Sequence, residues 1–145
     1  MAMARSSGPD PPCATPQDPL PGISRWEDLA RLVAGARLTV VPSRNYDNAP
    51  LAVLESALAG TPVLGAAIGG IPELLRPGVT GELFRSGDAV DLAAKLGALL
   101  ADRDRLARMG EAGKRFTEEH FSLSRHLDTL TGLFADLVAR RNSHG

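Results

Sequence analysis

Asp47 and Glu55 are the residues of this chain best placed to do chemistry. Seven residues separate them, Asn48-Ala49-Pro50-Leu51-Ala52-Val53-Leu54, and that run reads as the opening of a helix. Pro50 suits the first helical position, where its missing N–H would lack an intrahelical partner in any case. Asn48, just before it, is a good capping residue. Leu51, Leu54 and Leu58 recur at helical spacing and are expected to form a buried stripe. At about 100° per residue, Glu55 then lies only about 40° from Leu51, beside that stripe. A half-desolvated carboxylate needs donors, because an unpaired buried charge is costly. Hydroxyls of a polar ligand at the helix mouth would supply them. Water or an arginine would do so equally well, and the segment alone leaves both readings open.

The elements that must position these carboxylates follow from periodicity. Residues 38–41 form a short, continuous β-favouring run, as expected for a buried parallel strand. The helix over 50–59 stops at Gly60, and 62–66 reads as a second strand. Ile68-Gly69-Gly70-Ile71-Pro72-Glu73-Leu74-Leu75 is a glycine turn into a brief helix, and 80–84 a third strand. Upstream, Ser24 and Glu27 make a capping box for a helix to about Gly35, with Trp26, Leu29, Ala30 and Val33 at helical spacing. Downstream, Asp88 caps a helix to about Leu100 and Asp102 starts another bearing Leu106, Met109 and Phe116. A last helix over 121–138 carries Leu123, Leu127, Leu130, Leu133, Phe134 and Leu137. Strand–helix–strand alternation indicates an α/β layer with a parallel sheet. The expected fold class is α/β: a partial Rossmann-like domain with a short parallel sheet, flanking helices and C-terminal helices.

Open α/β sheets bind ligands outside the carboxyl ends of their strands. That rule sets residues 43–50 and 67–71 side by side. The N–H groups opening the helix at Pro50 point out of its N-terminus, where the helix dipole favours an anion such as a diphosphate. Gly69 and Gly70 allow close backbone approach, although turn chemistry accounts for them more simply than ligand contact does.

Pro42-Ser43, an acid, seven residues and Glu55, then Ala57-Leu58-Ala59-Gly60-Thr61-Pro62-Val63 and Gly69-Gly70-Ile71-Pro72-Glu73, resembles the C-terminal nucleotide-sugar-binding domain of glycosyltransferase family 4. The match is dense from Trp26 to about Gly81 and looser to about Val138. Members of that family are retaining enzymes of GT-B architecture, with two Rossmann-like domains. The resemblance implies transfer of a sugar from a nucleotide-diphosphate donor with retention. The donor is a substrate, and neither a cofactor nor a metal is expected. The resemblance assigns Asp47 to hydroxyls of the donor sugar and Glu55 to the ribose. It sets the backbone of Asn48 and Ala49 against the phosphates, with Ser43, Gly69 and Gly70 in the loops near the donor. Glu73 is expected to stabilise its loop rather than react. The family's usual signature is Glu, seven residues, Glu; here Asp47 holds the first place, one methylene shorter, with the spacing kept.

Composition limits the other possibilities. The chain has 145 residues, 43% of them hydrophobic, and a formal net charge of −1. That suits one soluble domain with a core and leaves no electrostatic footprint for nucleic acid. No stretch approaches the roughly 20 apolar residues of a membrane span, no apolar run follows Arg5 as a secretory signal would require, and the cytoplasm is the expected compartment. Cys13 is the single cysteine, which excludes an internal disulfide framework. Asp102-Arg103-Asp104 has the acid–any–acid form of a Mn²⁺ site but opens a helix away from any strand end, so capping explains it. His120, His126 and His144 lack zinc-site spacing, and the charges from Asp102 to Arg108 read as a solvated face.

Three segments are expected: a disordered Pro-rich stretch over 1–22, with six prolines between Pro9 and Pro21, the partial domain over 23–140, and a flexible tail over 141–145. A whole enzyme of the resembled type has an acceptor domain and upstream basic residues that neutralise the leaving diphosphate. Nothing upstream of Ser24 resembles them. The chain is therefore expected to be part of a domain, with an apolar surface on the last helix left in need of a partner. Its expected partners are a nucleotide sugar and, as an alternative, a second chain carrying the acceptor domain. Alongside the partial transferase stand a non-catalytic subunit of a split enzyme and an inactive truncated remnant.

Overall fold

The computed structural model describes residues 26–142; the Pro-rich stretch, Ser24, Cys13 and His144 lie outside them. Three parallel strands, β1 (Thr39–Val41), β2 (Val63–Ala66) and β3 (Gly81–Phe84), form a sheet in the order β1-β2-β3. Thr39 pairs with Val63, Val63 with Gly81, and Ala66 with Phe84. The central strand β2 is wholly buried, whereas β1 at the edge is half-buried. Helix α1 (Trp26–Gly35) precedes the sheet, α2 (Leu51–Leu58) joins β1 to β2, and α3 (Ile71–Leu74) joins β2 to β3. Helices α4 (Ala89–Leu100), α5 (Arg103–His120) and α6 (Leu123–Asn142) follow. The α6 helix runs two residues into the expected tail.

Side-chain alternation along β2 divides the core in two. Leu64 and Ala66 join Phe84, Leu99, Leu106 and Met109 on the side of α4 and α5. Val63 joins Val53, Ile71, Leu74 and Leu75 on the side of α2 and α3. Both Asp caps form as expected. Asp88 accepts from the Val90 and Asp91 N–H groups, and Asp102 accepts from that of Arg105 at 2.8 Å.

The buried stripe of α2 differs from the expectation. Leu51 is 66% exposed and Leu58 45% exposed, whereas Val53, Ser56 and Ala57 are buried. Gly60, one turn on, continues that face. The reason is close packing of α2 and the turn after it on α5. A Cβ at Gly110 of α5 would stand 2.2 Å from the Gly60 carbonyl oxygen, so this contact selects the smallest residues, not the most apolar. The outward-facing leucines are uncovered among the described residues.

The charge run on α5 is also not wholly solvated. Arg105 reaches Glu82 of β3 at 3.3 Å, and Lys95 of α4 reaches the same carboxylate at 3.5 Å. One half-buried acid thus ties both helices to the edge strand.

Candidate functional site

Three loops leave the carboxyl ends of the strands, residues 42–50 after β1, 67–70 after β2 and 85–88 after β3, and direct contacts join them. The Gly70 N–H donates to the Asp47 carbonyl at 2.8 Å, and the Ser86 hydroxyl donates to the Ser43 carbonyl at 3.0 Å. The structure therefore brings Ser43, Asp47, Asn48, Ala49, Gly69 and Gly70 to one place, with Glu55 one turn inside the adjoining helix.

The glycine pair has a specific reason. Gly69 holds φ +57, and a Cβ there would meet the Asp47 oxygen at 2.5 Å. At Gly70 a Cβ would fall 1.7 Å from the Asn48 oxygen. No side chain fits between the two loops, so these glycines serve loop-on-loop packing as well as the turn.

Within the first loop, the Ser43 hydroxyl donates to the Asn45 carbonyl at 3.0 Å and accepts from the Asn45 N–H at 3.3 Å. Asp47 Oδ1 accepts from the Ala49 N–H at 3.1 Å, an Asx turn. Its second carboxylate oxygen takes no hydrogen bond among the described residues, and Asp47, Asn48 and Ala49 are exposed.

Two expectations at the helix mouth are corrected. Pro50 is the N-cap in extended conformation, φ −64 and ψ 114, with no side-chain cap bond. Asn48 therefore does not cap the helix. The Ala49 N–H, expected to face phosphate, is occupied by Asp47. With helical geometry starting at Leu51 and the Val53 N–H bonded to the Pro50 carbonyl, the open donors are the N–H groups of Leu51 and Ala52. Both lack an acceptor among the described residues, as the first turn of a helix should. Reading Pro50 as N1 already leaves these two N–H groups open; what it missed is the Asx turn over Asp47-Asn48-Ala49 that takes the Ala49 N–H.

Glu55 is half-buried, and its carboxylate has no hydrogen bond or ion pair among the described residues. Relative to the Val53–Ala57 face it points about 150° away, so it borders the uncovered side of α2, not the core. Glu73 is exposed; its backbone N–H, bonded to the Gly70 carbonyl at 3.0 Å, holds the turn, while its carboxylate has no partner there.

The third loop is set by α4. Arg85 pairs with Asp88 at 2.9 Å, and the Arg85 N–H donates to Asp91 Oδ2 at 2.7 Å. The N–H of Asp91 holds the Asp88 carboxyl below the usual carboxylate range; desolvation opposes this, and the Arg85 charge and Val90 N–H reinforce it. A separate cavity of about 510 Å³ lies at the opposite, amino end of the strands, between Val79 and the Arg105, Arg108 and Arg115 face of α5. Among the described residues no cluster of three His, Cys, Asp or Glu could hold a metal, and no helix is long and apolar enough to cross a membrane.

Several known proteins resemble this chain in sequence and fold. A D-inositol 3-phosphate glycosyltransferase of Nocardia farcinica is 45% identical over 84 residues, which are 58% of this chain and 18% of that protein. Sucrose-phosphate synthase (tll1590) from Thermosynechococcus elongatus superposes with a TM-score of 0.72 at 31% identity, covering 79% of this chain and 28% of the synthase. Anabaena Alr3699/HepE, solved in complex with UDP-glucose, shares the fold at a TM-score of 0.68 and 23% identity, over 73% of this chain and 29% of its own. This chain thus spans less than a third of the length of each. Residues 19–116 match the family described as "Glycosyl transferases group 1", and the chain belongs to that family, as a Rossmann-like α/β unit related to GT-B glycosyltransferases.

Proposed function

We propose that this chain is the donor-binding part of a retaining glycosyltransferase of family 4, the C-terminal domain of the pair, and that it holds a nucleoside-diphosphate sugar at the carboxyl ends of β1 and β2. The observation that carries the reading is the grouping of the exposed Asp47 carboxylate, the open Leu51 and Ala52 N–H groups and the unpartnered Glu55 along one helix entrance. The two N–H groups and the α2 dipole favour the diphosphate. Glu55, one turn inside, accepts from the ribose hydroxyls, and the free oxygen of Asp47 accepts from the sugar.

Sugar transfer needs more than this site. Departure of the diphosphate develops charge, and stabilising that charge is usually the largest catalytic term. Arg44 is the one basic side chain in residues 42–50 and 67–70. Acceptor binding and further cations then come from residues outside those described here, on the same polypeptide or on a second chain.

Calorimetric titration of the chain with UDP, GDP and ADP tests the donor site. Glu55→Ala is expected to weaken the bound nucleotide by about 10-fold or more, the loss of hydrogen bonds to a charged acceptor, while Glu73→Ala leaves affinity near wild type. Equal losses at the two positions contradict the ribose assignment.

A further inference from the structure

Ser86 lies in the loop after β3, two strands away from the loop that carries Asp47, yet its hydroxyl reaches across the end of β2 to the Ser43 carbonyl at 3.0 Å. Ser86 is half-buried, and its own place is set by α4. The Asp88 N–H closes a turn on the Arg85 carbonyl at 3.0 Å, Asp91 holds the Arg85 N–H, and Asp88 holds the Arg85 guanidinium. At the other end, Ser43 folds its hydroxyl onto Asn45, and four residues after Ser43 the Asp47 carbonyl is held by Gly70. The 43–50 loop thus has two fixed points, Ser86 at its base and Gly70 near its apex. Arg44, Asn45 and Tyr46 between them are exposed and offer no packing to replace a lost anchor.

We infer that Ser86 is a positioning residue for the donor site: it carries the rigid geometry of the α4 N-terminus across the sheet and fixes the height at which Asp47 meets the sugar. The inference rests on the donor reading above. Without the hydroxyl, the Ser43 carbonyl loses a donor and the base of the loop loosens, which weakens the Asp47–Gly70 bond near its apex and frees Asp47 more than the first turn of α2. The sugar contact should therefore suffer before the phosphate contact.

The test compares Ser86→Ala with Ser86→Thr, which keeps the hydroxyl, in the full chain. Amide exchange at Gly70, whose N–H is held by the Asp47 carbonyl, reports how firmly the anchored loop is held. It is expected to quicken about 3- to 10-fold in the alanine variant, as loss of one hydrogen bond implies, and to stay near wild type in the threonine variant, with Leu64 and Leu106 unchanged in both. Titration with UDP, UDP-glucose, GDP and GDP-mannose reads the consequence: the ratio of sugar-bearing to sugar-free affinity falls in Ser86→Ala and recovers in Ser86→Thr. Unchanged Gly70 exchange in Ser86→Ala overturns the anchor, and an unchanged affinity ratio overturns the positioning role. A wild-type chain that binds none of the four ligands instead overturns the donor reading and the ligand half of this inference, and Gly70 exchange still decides whether Ser86 anchors the loop.

Discussion

At Asp47, one oxygen closes the Asx turn on Ala49 at 3.1 Å while the other faces solvent beside the helix entrance. The sugar role and the turn role of this side chain can be told apart. Asp47→Ala is expected to remove the sugar-dependent part of nucleotide-sugar binding while sparing the bare nucleoside diphosphate. Asp47→Glu should keep or raise that part, since the longer side chain reaches the sugar without the bridging water a shorter acid would use at modest cost. Binding isotherms for paired sugar-bearing and sugar-free ligands provide the check. If Asp47→Ala weakens both alike, the residue serves only the turn. Asp47 and Glu55 were paired by the resemblance of their motif, since the segment alone left water or an arginine as equal partners for Glu55. The Asx turn that takes the Ala49 N–H was not legible, because it depends on how the loop before the helix folds.

Among the elements, α4 and α5 show how local and tertiary terms divide. Both caps are local chemistry, readable from Asp88 and Asp102. Since the Asp88 carboxyl sits below the ordinary range in the folded chain, its charge contributes stability at pH above its unfolded value, near about 4, and that contribution is lost as pH falls through the lower folded value. Asp88→Asn keeps an acceptor at the cap but does not titrate. Wild type is therefore expected to melt above Asp88→Asn at neutral pH, with the gap closing as pH falls below the ordinary carboxylate range, as thermal scans across pH would record. The α2–α5 contact is tertiary. Alanine at Gly110 would gain about 1 kcal/mol of helix propensity. Its Cβ would meet backbone at 2.2 Å, an overlap that costs about 1–3 kcal/mol and more when, as here, no flexible side chain can yield. Gly110→Ala should lower the denaturation midpoint; a rise would mean that the helices separate freely.

Over the whole molecule, packing is uneven. The α6 helix exposes Leu123, Leu127, Leu133, Phe134, Leu137 and Val138, so it adds little to the core beyond its own hydrogen bonds. Phe134→Ser is accordingly expected to leave the melting temperature within error of wild type while lowering fluorescence of a dye that binds apolar surface. A clear loss of stability would show that the side chain is covered in solution. The parallel α/β order, the strand positions and the Asp caps were determined by the sequence itself, because periodicity, capping and turn chemistry act within a few residues, and the grouping of residues 43–50 with 67–71 follows once the strands are parallel neighbours. Which face of α2 is buried, that Gly69 and Gly70 admit a neighbouring loop's backbone, that Arg105 pairs with Glu82, and that Ser86 reaches Ser43 were decided only by tertiary structure. These depend on how closely two distant backbones approach, and close approach favours small residues and specific donors that no one-dimensional pattern of apolar side chains reveals.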